Sequence, residues 1–140
     1  MAANHVYVTK WFHRWARREG VVDCSLCRAI MELEQGLVDA SLGGLLFKKR
    51  IPAPGRGKRG SFRMLVAFHT KKAAFFVYGF AKNQRGNISA RELRALKMLA
   101  KSLIELDDAK VRKAVAVAEI RRVECDDENE PTQLYPRCRT

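Results

Sequence analysis

A chain of 140 residues with 27 Lys and Arg against 15 Asp and Glu has a formal charge of +12 at pH 7, and its length suits one domain that can bury a core without staples. Five of the acidic residues and two of the basic ones fall in positions 124–140, so the preceding body is more basic than the whole. With no long apolar span and no basic amphipathic helix, this balance favours nucleic acid over a membrane surface.

The first residues, Met1 to Asn4, are short and polar and offer no apolar core of a secretory signal, which leads to the expectation of a cytoplasmic protein. Val6 to Thr9 alternates as a first strand. Thr9 then stands where an N-cap belongs, and Trp11, Phe12 and Trp15 follow at helical spacing up to Gly20. The two tryptophans are four apart, which is one helix face, and core packing is the reading preferred over nucleobase stacking. His13 is expected to face solvent and is given no chemistry. A second helix, capped by Asp23, runs through Leu26, Cys27, Ile30 and Leu33 and stops at Gly36. Cys24 and Cys27 form a C-x-x-C inside this helix, with Cys125 and Cys138 far away in the tail. Zinc needs a second close pair or a His pair, so the cysteines read as small buried thiols and no metal is expected.

After a connector over Leu37 to Gly44 come three strand-like runs, Leu45 to Arg50, Ser61 to His69 and Ala74 to Phe80, which read as an antiparallel meander. From Ala40 to Arg91 there are twelve Lys and Arg and no Asp or Glu. A solvated ion-pair surface interleaves its signs, so so one-sided a run calls for an external counterion such as phosphate. Period-two alternation puts Lys48 and Arg50 on one face and Phe47, Lys49 and Ile51 on the other. The link Pro52 to Gly60 is a basic hairpin loop whose glycines let backbone approach an anion; without G-K-[ST] and a following helix it is not a P-loop. Ser89 and Glu92 form a capping box, and Leu93, Leu96, Leu99, Ala100 and Leu103 give the helix that follows an apolar face. Asp107 or Asp108 caps a shorter helix to about Ala118, and Ile120 to Val123 is a turn of helix or a strand. Residues 1–123 form one domain, and 124–140 an acidic tail expected to be disordered.

This order of elements resembles the RelE/HigB/ParE superfamily of type II toxins. The HigB-type branch is suggested by Trp11-Phe-His-Arg-Trp15, Gly43-Gly-Leu-Leu-Phe-Lys-Lys-Arg50, Gly55-Arg-Gly-Lys-Arg-Gly60 with Phe62-Arg63, and Phe76-Val-Tyr-Gly-Phe-Ala-Lys-Asn83. The resemblance implies an α+β RelE-like fold, with two N-terminal helices packed on a small antiparallel sheet and further helices at the C-terminal end. It also implies a metal-independent messenger RNA interferase, without cofactor, that cuts mRNA on the ribosome and is neutralised by a cognate, DNA-binding antitoxin encoded beside it. The family's K-x-[KR] pair matches Lys48 and Arg50, its strand-start arginine matches Arg63, and its G-K-[RN] element matches Lys82 and Asn83. Asn83 stands where RelE has arginine, and RelE's C-terminal tyrosine has no counterpart.

Cutting RNA without metal requires a base for the ribose 2′-hydroxyl and positive charge on the phosphate. Guanidinium groups hold two phosphate oxygens at once, which assigns Arg50 and Arg63 to the phosphate, with Arg56 or Arg59 in support. Lys48, set among like charges, is the candidate base and Lys82 a positioning cation. Lys49, Lys58, Asn83 and Arg85 complete the expected RNA-binding set together with Arg56 and Arg59. The competing readings are a basic RNA- or ribosome-binding domain that does not cut, and a ParE-like toxin directed at DNA gyrase.

Overall fold

The computed structural model describes residues 5–53, 57–81 and 88–125, with Ala53 and residues 57–60 described by backbone alone. Their alternating apolar runs give six strands: β1 (His5–Thr9), β2 (Ala40–Gly43), β3 (Leu46–Ala53), β4 (Gly57–His69), β5 (Ala73–Ala81) and β6 (Ile120–Val123). Four helices accompany them: α1 (Lys10–Glu19), α2 (Asp23–Glu34), α3 (Ala90–Ile104) and α4 (Asp108–Ala116). The strands form one sheet in the order β2-β3-β4-β5-β1-β6. The expected meander is β3, β4 and β5, each antiparallel to the next. The sheet as a whole is mixed rather than antiparallel, because β1 runs parallel to β5. The stretch read as a connector holds a strand as well: β2 pairs with β3.

Helix ends follow local chemistry. The Thr9 hydroxyl accepts from the Phe12 N–H at 3.2 Å, and α1 stops at Gly20, whose φ of 79° suits a residue without Cβ. Ser89 and Glu92 close a reciprocal capping box on α3 at 2.9 and 3.1 Å. Asp107 caps α4 through a 2.8 Å bond from the Lys110 N–H. Asp23, in contrast, is no cap. The N-cap of α2 is Val22, and Asp23 accepts from Arg121 at 3.0 Å. His13 is half-buried rather than fully solvated and accepts from the Arg121 Nε at 3.2 Å. Burial and the neighbouring cations lower its pKa from the ordinary imidazole value.

Apolar cores fill both faces of the sheet. On one, α1 and α2 pack Phe12, Trp15, Leu26 and Ile30 against Val8, Met64, Val66 and Phe76. On the other, Ala100, Leu103 and Ile104 of α3 meet Leu46, Leu65, Phe75 and Val77. Gly79 in β5 is where α1 comes closest. A Cβ there would lie 2.4 Å from the Trp15 ring, so only glycine admits the indole. The two tryptophans thus part company: Trp15 is 4% exposed but Trp11 is 44% exposed, against the expectation that both pack in the core.

The cysteines correct the reading as buried thiols. Cys27 on α2 is bonded to Cys125, 98 residues later, and no described cysteine is free. The bridge ties the chain just beyond β6 to the α2 layer, so the tail is anchored at least to Cys125; residues 126–140 lie outside the described residues. Closing so long a loop restricts the unfolded chain by ~4–5 kcal/mol in the entropic limit, and measured effects are smaller. Cys125→Ser is therefore expected to lower the unfolding free energy by about 2–4 kcal/mol in urea titrations. An unchanged midpoint would show that the bridge adds no constraint.

Candidate functional site

The pairing of β3 with β4 decides which cations meet. Arg50 is directly opposite Arg63, and Lys48 opposite Leu65; on the next strand Arg63 faces Phe80 and Leu65 faces Tyr78. Alternation puts all of these on the α3 face, since Leu46 and Leu65 belong to that core. Directly opposed residues have Cα atoms ~4.5–5.5 Å apart and diagonal neighbours ~7–8 Å. Lys48, Arg50 and Arg63 therefore form a compact triangle on one surface.

Within the triangle the charges are only partly compensated. The Arg63 Nη1 donates to the Ser61 hydroxyl at 3.0 Å, a neutral partner. Arg50 has a carboxylate nearby, Asp39 Oδ2 at 4.0 Å from its Nε, but its side chain remains 56% exposed. Asp39 stands just before β2 and is held there by a 3.0 Å bond from its N–H to the Lys48 carbonyl. The edge strand thereby supplies an anion that the basic run itself lacks. Like charges directly opposite one another destabilise a sheet pair, and an anion lying between the two guanidinium groups relieves that repulsion.

Lys49 does not join this group. It points to the other face, is 7% exposed, and its Nζ is 2.6 Å from Glu32 Oε1 on α2. Burial and pairing of this kind make it part of the helix–sheet contact, which removes it from the RNA-binding set read from the sequence. Lys58 and Arg59 are placed in β4 by backbone alone, and Arg56, Lys82, Asn83 and Arg85 lie outside the described residues.

One feature escaped the sequence reading. Trp11 stacks on Tyr78, ring centroids 4.7 Å apart and planes 18° from parallel. Tyr78 lies two strands from Lys48 in the same cross-strand row, so an aromatic shelf borders the cations. The cause is topological. β1 stays in register with β5 only as far as Phe76, and α1 starts at once, so its first turn lies beside the part of β5 beyond that point. Four-residue spacing marked the stripe but could not reveal that its first member overhangs the sheet end.

Among the described residues no three His, Cys, Asp or Glu side chains gather in a set able to hold a metal ion, and no helix is long and apolar enough to cross a membrane. The fold is a small basic α+β domain with three cations drawn together on one face of its sheet. More particularly, the family model for the RelE toxin of the RelE / RelB toxin-antitoxin system matches residues 4–123, and the chain belongs to that family. It is thus a toxin of a toxin–antitoxin pair, and the family implies an antitoxin partner. A search of curated proteins finds no match.

If the triangle is an anion site, inorganic phosphate should bind there and stabilise the fold. In phosphate, compared with chloride of equal ionic strength, the melting temperature is expected to rise by about 3 °C for the parent chain. Arg50→Ala/Arg63→Ala should not show the increment. An equal rise in both would place the phosphate elsewhere.

Proposed function

We propose that this toxin is a metal-independent endoribonuclease that cleaves mRNA on the translating ribosome, with the Lys48, Arg50 and Arg63 triangle as its cutting site. The observation that carries the reading is the direct opposition of Arg50 and Arg63 on adjoining strands, with Lys48 as the diagonal neighbour of Arg63. In this reaction the ribose 2′-oxygen attacks the adjacent phosphorus, the bond from phosphorus to the 5′-oxygen breaks, and a 2′,3′-cyclic phosphate and a 5′-hydroxyl result. Lys48 takes the 2′-hydroxyl proton, and the departing 5′-oxygen takes up a proton from solvent water to become the 5′-hydroxyl. Arg50 and Arg63 hold the two non-bridging oxygens, where charge builds in the transition state.

Lys82, the first residue after β5, is retained as a positioning cation, and Arg56, Lys58, Arg59, Asn83 and Arg85 as contacts to the RNA backbone, on the family pattern. Phosphate contacts of this kind position a strand without reading its sequence. Action on translated message places the toxin in the cytoplasm. The antitoxin in this reading is a DNA-binding protein encoded alongside, in keeping with the HigB-type resemblance.

Removing one electrostatic stabiliser of a transition state costs ~100- to 1,000-fold in rate. Arg63→Ala is accordingly expected to cut translated message ~100-fold or more slowly while keeping the parental circular dichroism spectrum. Primer extension on messages from induced cells reads the result, with parental cleavage in step with codons. Cleavage by the folded variant at the parental rate contradicts the assignment. Growth arrest with intact messages and damaged DNA would instead support a gyrase-directed toxin.

A further inference from the structure

Where β1 and β5 begin, at the end of the sheet away from the cation triangle, the turn between α3 and α4 borders a cleft of about 790 Å³. Ala73 opens β5, and Phe80, beside Arg63, stands near its other end; at ~3.3 Å per residue the two places are about 20 Å apart. Tyr7, Phe75 and Leu103 floor the cleft. Tyr7 is 6% exposed, and its ring stacks on Phe75 with centroids 5.2 Å apart. Its hydroxyl has no hydrogen-bond partner among the described residues, and among these residues no fully enclosed side-chain oxygen or nitrogen lacks one. The hydroxyl therefore emerges into the cleft that the side chain lines. A buried phenol ordinarily finds a partner, so one with nothing to bond marks a place for a ligand group.

Charges of both signs surround that hydroxyl. Arg122 stands opposite Tyr7 on β6, and Asp108 and Arg112 line the cleft from the first turns of α4. Burial raises the Tyr7 pKa, Arg122 draws it down and Asp108 pushes it up, so both charges act on the phenol. Glu105 and Lys71 complete the rim. Among the described residues these carboxylates and cations do not pair with one another; Arg122 Nε has Glu124 at 3.6 Å, outside the cleft. Two more charges on the rim are occupied: Asp107 caps α4, and Lys72 donates to the Ile104 carbonyl at 3.2 Å. Exposed charges commonly stay solvated. What sets these apart is a shared hollow with an apolar floor and a buried, unbonded hydroxyl in it.

We propose that this cleft binds a zwitterionic, peptide-like small molecule, with an ammonium group at one end, a carboxylate at the other and an apolar body between them. Arg112 and Arg122 hold the carboxylate, since a guanidinium group can grip two oxygens at once, and the Tyr7 hydroxyl donates a further bond to it. Asp108 and Glu105 hold the ammonium, and the apolar body lies on the floor beside the half-buried Val111. A phosphate chain would meet the carboxylates of Glu105, Asp107 and Asp108, and a polyamine would meet Lys71, Arg112 and Arg122. Only a ligand of both signs complements both sets. The volume is in the range of small-molecule sites and exceeds what a single amino acid fills, so a ligand of dipeptide size suits it. No residue of α4 is buried, and a ligand joining Asp108 and Arg112 to Arg122 and Tyr7 clamps that helix to the sheet. The inference does not depend on the ribonuclease reading.

Isothermal titration calorimetry of the full chain with L-leucyl-L-phenylalanine tests this, with the N-acetyl and C-terminal amide forms of the same dipeptide as comparison probes. The dipeptide is expected to bind saturably, and each blocked form to bind about tenfold or more weakly, because each lacks one of the two charges. Tyr7→Phe keeps the ring on Phe75 and removes only the hydroxyl, and it should weaken the dipeptide about tenfold. Asp108→Asn and Arg112→Gln should each weaken it as well. Both side chains are exposed, and Asp107 rather than Asp108 caps α4, so the circular dichroism spectrum should stay parental. Arg50→Ala/Arg63→Ala should bind the dipeptide as the parent does. No saturable binding, equal binding of a blocked form, or parental affinity in Tyr7→Phe overturns the proposal. So does a loss in Arg50→Ala/Arg63→Ala, which would put the ligand at the triangle.

Discussion

Two guanidinium groups set side by side on neighbouring strands are an expense that a sheet ordinarily avoids, and the rest of the molecule serves to hold them there. Arg50 and Arg63 are opposed because β3 and β4 pair in one register, and that register is enforced from both sides. On the α3 face Leu46 and Leu65 are fully buried, and on the α2 face Met64 is fully buried and Ile51 and Phe62 are buried. A slip of one residue would exchange the faces and drive Lys48 and Arg50 towards the buried helix contact. Burial of apolar surface on both sides therefore fixes the position of charges that repel each other.

The helices divide the work accordingly. The α1/α2 layer completes one core, provides Glu32 for the buried Lys49, and is tied through Cys27 to the chain beyond β6. The α3/α4 layer covers only part of the opposite face. Leu65 and Val77 lie beneath it, while Lys48 stays half-buried and Arg50 exposed. The part of this face that carries Arg50 is therefore left open beside a buried sheet centre. In a reducing compartment the bridge would open, and the two cores alone would then have to keep the register.

Much of this was legible in the residues themselves. Alternation placed Lys48 and Arg50 together and Lys49 opposite, and Thr9, Gly20, Ser89 and Glu92 marked helix ends where the structure has them. Charge tallied along the run alone makes Lys49 an RNA contact, whereas its face pairs it with Glu32 in the helix–sheet contact. The run's lack of acids misled in the same way: Glu32 and Asp39, both outside it in sequence, are neighbours in space. Nothing local announces that Cys27 meets a cysteine 98 positions on, that β1 lies parallel to β5, or that Trp11 leaves the core which Trp15 enters. These depend on long-range pairing, which a one-dimensional pattern does not encode.

The central claim is that Arg50 and Arg63 grip one and the same phosphate. It is tested most directly by a double-mutant cycle on the affinity for a short 2′-O-methyl RNA that cannot be cut. If the two side chains act on one anion, each alanine substitution weakens binding and the double substitution falls short of the summed losses by ~0.5 kcal/mol or more. Strict additivity, or an affinity indifferent to both substitutions, would contradict the account.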